Sequence, residues 1–209
     1  MDKEIRSFDF EVRADENEEH GHFLTGRPIV YDSRTDLGWY DEIIADGALD
    51  GADLRDVRFL VNHNTDMIPL ARSRNNTDGS TMQLKVVQGE GMDIRVDLDT
   101  EHNAEASSLY SAVSRGDISG MSFMFRVDAD KWDELESEHP TRTIEKISKV
   151  FEVSAVTFPA YEATSIQARG LSDALEGAKA SLESVKAEKR TADEARAKKI
   201  AQIKLLTEV

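Results

Sequence analysis

Up to Arg169 the apolar residues of this chain come in runs of strand length, and from Leu171 onward they fall at helical steps. That change of period divides the sequence before any motif is considered. The runs cover 23–31, interrupted by Gly26 and Pro28, then 57–61, 81–87, 92–98, 121–127 and 150–158, and are rich in β-branched and aromatic residues. Asn75-Asn76-Thr77-Asp78-Gly79 and Gln88-Gly89-Glu90-Gly91 supply turns, the second between two strands expected to be antiparallel. Between Thr100 and Arg115, by contrast, Ala104, Ser107, Ser108, Ser111 and Ala112 favour a helix with Leu109, Tyr110 and Val113 on its apolar face. Residues 130–142, with their acids and Pro140, read as an exposed loop or short helix. The expected class is α+β with a mainly antiparallel β core.

Leu171, Leu175, Ala178, Leu182 and Val185 step by four, three, four and three, the stripe of a long helix. It fades through Lys189 and Ala192 and resumes at Ile200, Ile203 and Leu206, an interrupted coiled-coil seam at best. Charge shifts at the same place: eight basic residues face seven acidic ones after Gly170, against 18 and 34 before it. The sequence therefore divides into a domain over 1–169 and a helical tail over 170–209.

Composition closes several function classes. At a net charge of -15 the chain repels a phosphate backbone, so no direct nucleic-acid partner is expected. No apolar run is long enough to cross a membrane, and the first residues do not read as a secretory signal, which places the chain in a cytoplasm. The absence of cysteine rules out disulfides, thiolate metal sites and a cysteine nucleophile.

Three elements carry candidate chemistry. His20, His22, His102 and His139 lie among acids or turn residues and read as solvent-exposed, whereas His63 ends the run Arg58-Phe59-Leu60-Val61-Asn62. In an extended strand it would share a face with Phe59 and Val61, placing an imidazole at a strand end for general-base work or for a structural hydrogen bond. Ser119 and Ser122 stand at the start of an aromatic-rich strand; three apart, they face opposite sides unless Gly120 adds a bulge, so one of them could meet His63. Glu152 lies inside a β-branched strand, where a carboxylate needs a partner, either an arginine or an imidazole that it orients. Serine, histidine and glutamate on three strands would make a nucleophile, its base and the orienter of the base. A metal hydrolase built on His63 lacks a second histidine at ligand spacing, so no metal or cofactor is expected.

Asn62-His63-Asn64 with Ile68-Pro69-Leu70-Ala71-Arg72, then Gly116-Asp117-Ile118-Ser119-Gly120-Met121-Ser122-Phe123, then the segment from Phe151-Glu152-Val153-Ser154 to Phe158-Pro159-Ala160-Tyr161, resemble in order the HK97-type phage prohead proteases. The resemblance runs from Phe23 to Arg169 and includes Trp39-Tyr40-Asp41-Glu42-Ile43-Ile44-Ala45-Asp46-Gly47-Ala48-Leu49, with Asp46 where proline is common. It implies an assemblin-like β-barrel with surrounding helices and a serine endopeptidase of Ser-His-Glu type. Such an enzyme would act in the host bacterial cytoplasm, inside the immature prohead, on the scaffolding region of the major capsid protein. His63 would be the base, Ser122 the nucleophile and Glu152 the third member. The family pattern favours Ser122 because it stands within the strand, followed by Phe123 and then Arg126; Ser119 is the alternative nucleophile. Ala71 and Met124 replace residues that are commonly glycine. The resemblance further implies self-cleavage, here expected at Gln167-Ala168-Arg169-Gly170-Leu171, and allows a homodimer. The competing reading is a non-catalytic scaffold that binds capsid subunits without cutting them.

Overall fold

The computed structural model describes residues 3–8, 12–19, 21–158 and 168–207, and the side chains of Ser7, Phe8, 168–175 and 201–207 are outside that description. Its framework is a hairpin of two long strands, β10 (Gly120–Asp133) and β11 (Thr141–Val156). Register shifts between Met124 and Asp130 bend the pair, as bulges do. β1 (Glu4–Phe8) adds antiparallel to β10. The other edge of β11 is shared: β5 (Asp41–Ile44) runs parallel to its first half and β6 (Asp56–Val61) parallel to its second. Two short strands, β4 (Thr35–Asp36) on β5 and β7 (Ala71–Arg74) on β6, complete this seven-stranded sheet.

A four-stranded sheet in the order β2 (Val12–Asn17), β3 (Gly21–Val30), β9 (Gly91–Asp97), β8 (Met82–Val87) packs against it. All its pairings are antiparallel, and the Gln88-Gly89-Glu90 turn joins β8 to β9 as the sequence predicts. Gly91 is required there: its φ is 137°, and a Cβ would come within 1.9 Å of the Ile29 carbonyl oxygen. Leu24, Ile29, Met92, Phe123, Phe125 and Val153 are among the fully buried residues of the shared core. The class is α+β and strand-rich. Among the described residues the pairings draw two open sheets rather than a closed barrel.

Two helices flank the sheets. α1 (Ala104–Ser114) starts where the Asn103 side chain accepts the backbone N–H groups of Glu105 and Ala106, and buries Ala106, Leu109 and Val113. α2 (Ala168–Thr207) is the long tail helix. Ala178 and Leu182, one turn apart on the expected stripe, are buried against Tyr40 and Trp132, and the Trp132 indole donates to Ser181 at 3.1 Å. The renewed stripe finds no such cover at Ile200, which is exposed. The expected link at 167–171 divides: Gln167 lies outside the described residues, and the backbone from Ala168 belongs to the first turn of α2.

The stretch 130–142 is only in part the exposed loop expected from its acids: residues 134–140 form a largely exposed turn, but both ends are strand. β10 continues to Asp133, β11 resumes at Thr141, and the polar residues are used inside. Arg142 binds Asp130 at 2.6 Å and Glu4 at 2.7 and 3.0 Å; Arg6 binds Glu4 at 2.7 Å and Glu42 at 2.6 Å. Arg6, Arg142, Glu4 and Glu42 are all buried, so each charge depends on the others. Burial works to raise the Glu4 carboxyl, but the Arg142 hydrogen bond and the charges of both arginines outweigh it and hold the group below its ordinary value. This cluster fixes β1 beside β10.

Candidate functional site

The pleat of the β10–β11 ladder sets the site. Ser122 pairs with Ser154 and Met124 with Glu152, so Ser122, Ser154 and Glu152 share one face while Met121, Phe123 and Phe125 fill the core on the other. Placing serine among methionine and phenylalanine thus follows from alternation. β6 runs beside β11 with Leu60 opposite Ser154 and Val61 opposite Ala155, and the chain then turns sharply. The Asn64 N–H donates to the Val61 carbonyl, and the central residues Asn62 and His63 both have positive φ, 51° and 55°.

His63 is therefore not in an extended strand. A left-handed conformation costs a non-glycine residue on the order of 1 kcal/mol or more, and neighbouring bonds compensate. The Asn62 N–H donates to Ala155, its side chain exchanges hydrogen bonds with Thr157, and the His63 N–H donates to Ser154 Oγ at 3.1 Å. The turn carries the imidazole back over the face that holds the two serines and the glutamate.

His63 Nδ1 lies 2.5 Å from Glu152 Oε1 and Nε2 lies 2.5 Å from Ser122 Oγ. Because an ionised carboxylate only accepts, Nδ1 carries the proton and Nε2 presents its lone pair to the serine. The other carboxylate oxygen, Oε2, accepts the Ser154 hydroxyl at 2.6 Å. Ser122 also lies 2.7 Å from the Arg6 carbonyl, so its single proton has two acceptors. Ser122, Ser154 and Glu152 are buried, and the His63 side chain is 13% exposed. Such an arrangement can move a proton from the hydroxyl to the imidazole in a site largely closed to water.

Of the residues singled out in the sequence, His63, Ser122 and Glu152 converge. Ser119 is exposed ahead of β10, where its carbonyl accepts the Val12 N–H. His20 lies outside the described residues; His102 is exposed, while His22 and His139 are half-buried beside Glu16 and Asp41. Both ring nitrogens of His63 are engaged by Glu152 and Ser122, which leaves it no free lone pair for a metal. Among the described residues, Asp36, Asp41 and His139 have a spacing that could hold an ion, but Arg34 pairs with Asp41 at 2.7 Å and nothing ties the group to His63. Ser154 was missed in the sequence; its place two residues after Glu152, on the same strand face, is the signal that points to it.

The sequence profile of the caudovirus prohead serine proteases matches residues 8–176, most of the chain and all three converging side chains. No curated protein and no solved structure gives a match.

Proposed function

We propose, for a chain that belongs to the caudovirus prohead serine protease family, that Ser122, His63 and Glu152 form the catalytic triad of an endopeptidase that trims the major capsid protein. The family assigns the chain a protease role in capsid maturation within the prohead. The observation that carries the residue assignment is the single imidazole held between Glu152 and Ser122 at 2.5 Å on either side.

His63 accepts the Ser122 proton as Oγ attacks the scissile carbonyl, and Nε2–H then protonates the leaving amine. A water molecule, activated by the same nitrogen, releases the acyl group and restores the serine. Glu152 holds the tautomer and stabilises the imidazolium, which needs a counter-charge in so enclosed a site. The substrate is the scaffolding region of the capsid protein, met in the host cytoplasm inside the assembling shell. The chain's own junction near 167–171 is a second substrate, and removal of the tail follows from cutting there. The homodimer belongs to the same reading.

Co-expression with the capsid protein, wild type against Ser122→Ala, followed by intact-mass measurement of both chains, tests this. Loss of a capsid segment with the wild type alone is the expected result. Equal trimming by both would transfer the role to Ser119 or to a host enzyme, and trimming by neither would favour the scaffold that binds without cutting.

A further inference from the structure

The turn that presents His63 has a second neighbour. Between that turn, α1 and the residue two before β10 lies a cleft of about 580 Å³, within the ~300–1,000 Å³ typical of ligand clefts. Val61 and Met67 form one wall, Leu109 and Ala112 of α1 another, and Ile118 closes the end toward β10. Asn62 and Asn64, the residues on either side of His63, line its rim. The cleft thus abuts the turn that carries the imidazole, and its Ile118 end lies four residues before Ser122.

We infer that this cleft receives aliphatic side chains of the peptide substrate beside the bond to be cut. The inference rests on the protease reading and adds to it a substrate class. Four observations define the occupant. The lining is mainly apolar, so binding there is driven by aliphatic groups leaving water. Met67, whose sulfur accepts the Val61 N–H at 3.4 Å, gives one wall an adaptable thioether suited to side chains of differing shape. Glu105 is the charged residue of the lining, and the chain up to Gly170 carries 34 acidic residues against 18 basic, so an acidic segment is repelled. Ile68, the residue directly after Met67, is 80% exposed and so is open to a longer apolar segment than one side chain. The occupant is an extended segment with aliphatic residues and no acid.

The test uses the full chain as Ser122→Ala, which binds without cutting. Its probes are three fluorescein-labelled peptides of alanine and glycine: one with two adjacent leucines, one with alanines there, one with aspartates. The leucine peptide is expected to bind at least tenfold tighter than the other two. Ser108→Trp and Ala112→Trp, which fill the cleft from its α1 wall, are expected to weaken it at least fivefold with melting temperature held. Equal binding of the three peptides, or unchanged binding by the tryptophan variants, overturns the inference. So does a wild-type capsid cut site with no aliphatic residue within three positions, a readout that needs no variant to fold. Leucine-selective binding without any capsid cutting by the wild type would leave the cleft a peptide site and remove the protease reading; cutting without selectivity would do the reverse.

Discussion

Ser154 Oγ donates to Glu152 Oε2 at 2.6 Å and accepts the His63 N–H at 3.1 Å, so one buried hydroxyl fixes both the Glu152 carboxylate and the backbone that carries the imidazole. Removing it would leave a buried carboxylate oxygen and a turn N–H without their partner. Ser154→Ala is expected to lower kcat by about 10- to 100-fold with KM nearly unchanged. Its stability should drop by about 1–3 kcal/mol. Ser154→Thr, which keeps the hydroxyl in a strand that tolerates branching, should recover most of the rate. Equal loss in both variants would mean that packing rather than the hydroxyl matters.

The two candidate serines separate cleanly. Ser122→Ala should reduce peptide cleavage by about 10⁶-fold while the melting temperature holds, because the proposed nucleophile has no substitute. Ser119→Ala, at an exposed position, should stay within about threefold of wild type. An inactive Ser119→Ala protein beside an active Ser122→Ala one would reverse the assignment.

β1 lies beside Ser122, and its Arg6 carbonyl competes with His63 for the Ser122 proton. Since Ser122 is buried, a scissile carbonyl can come within bonding reach of Oγ only if something beside it yields. Ile5 and Met124 face each other in the β1–β10 register, and the chain has no cysteine, so Ile5→Cys with Met124→Cys offers a single reversible lock. The oxidised protein is expected to cleave at least tenfold more slowly than the same protein after dithiothreitol. Identical rates would show that β1 stays in place during catalysis.

Glu4 links the fold to pH. Its carboxyl in the folded chain titrates below the ordinary 4.5, so the unfolded chain takes up the proton first as pH falls. The stabilisation it gives is complete above about pH 4.5 and drains away below it. Glu4→Gln should cost about 3 kcal/mol at neutral pH, since it removes one of the buried carboxylates that Arg6 and Arg142 share, and should flatten the acid limb of the stability curve. Urea melts of both proteins from pH 7 to pH 3 decide this; parallel curves would exclude Glu4 as the titrating group.

The parts of β10 and β11 around Ser122 and Glu152, α1, the tail helix and the three side chains that converge were legible in the sequence, because period and composition agree there; the outer halves of the two long strands were not. β1 was not. In Glu4-Ile5-Arg6 it is the charged residues that face inward, to meet Glu42 and Arg142, which inverts the usual alternation. The same cluster explains why 130–142 looked like a loop: Asp130 and Arg142 are strand residues whose partners are far away in the chain. His63 was found by type but not by geometry, since strand periodicity ends at Val61 and the two left-handed residues that follow have no hydrophobic signature. Ser154 was invisible as chemistry because a hydroxyl near a strand end is ordinary until its partners are known. β4 and β7 are too short to show a period at all.

The docking of α2 carries its own timetable. Ala178 and Leu182 shield Tyr40 and Trp132, and Ser181 supplies a hydrogen bond to the Asp130 that steadies Arg142. An enzyme that excised its own tail would uncover aromatic rings and weaken the cluster that anchors β1. Each self-inflicted cut would then shorten the working life of the molecule that made it, and within a crowded shell such a protease would be spent by the same reaction that cleared the scaffold.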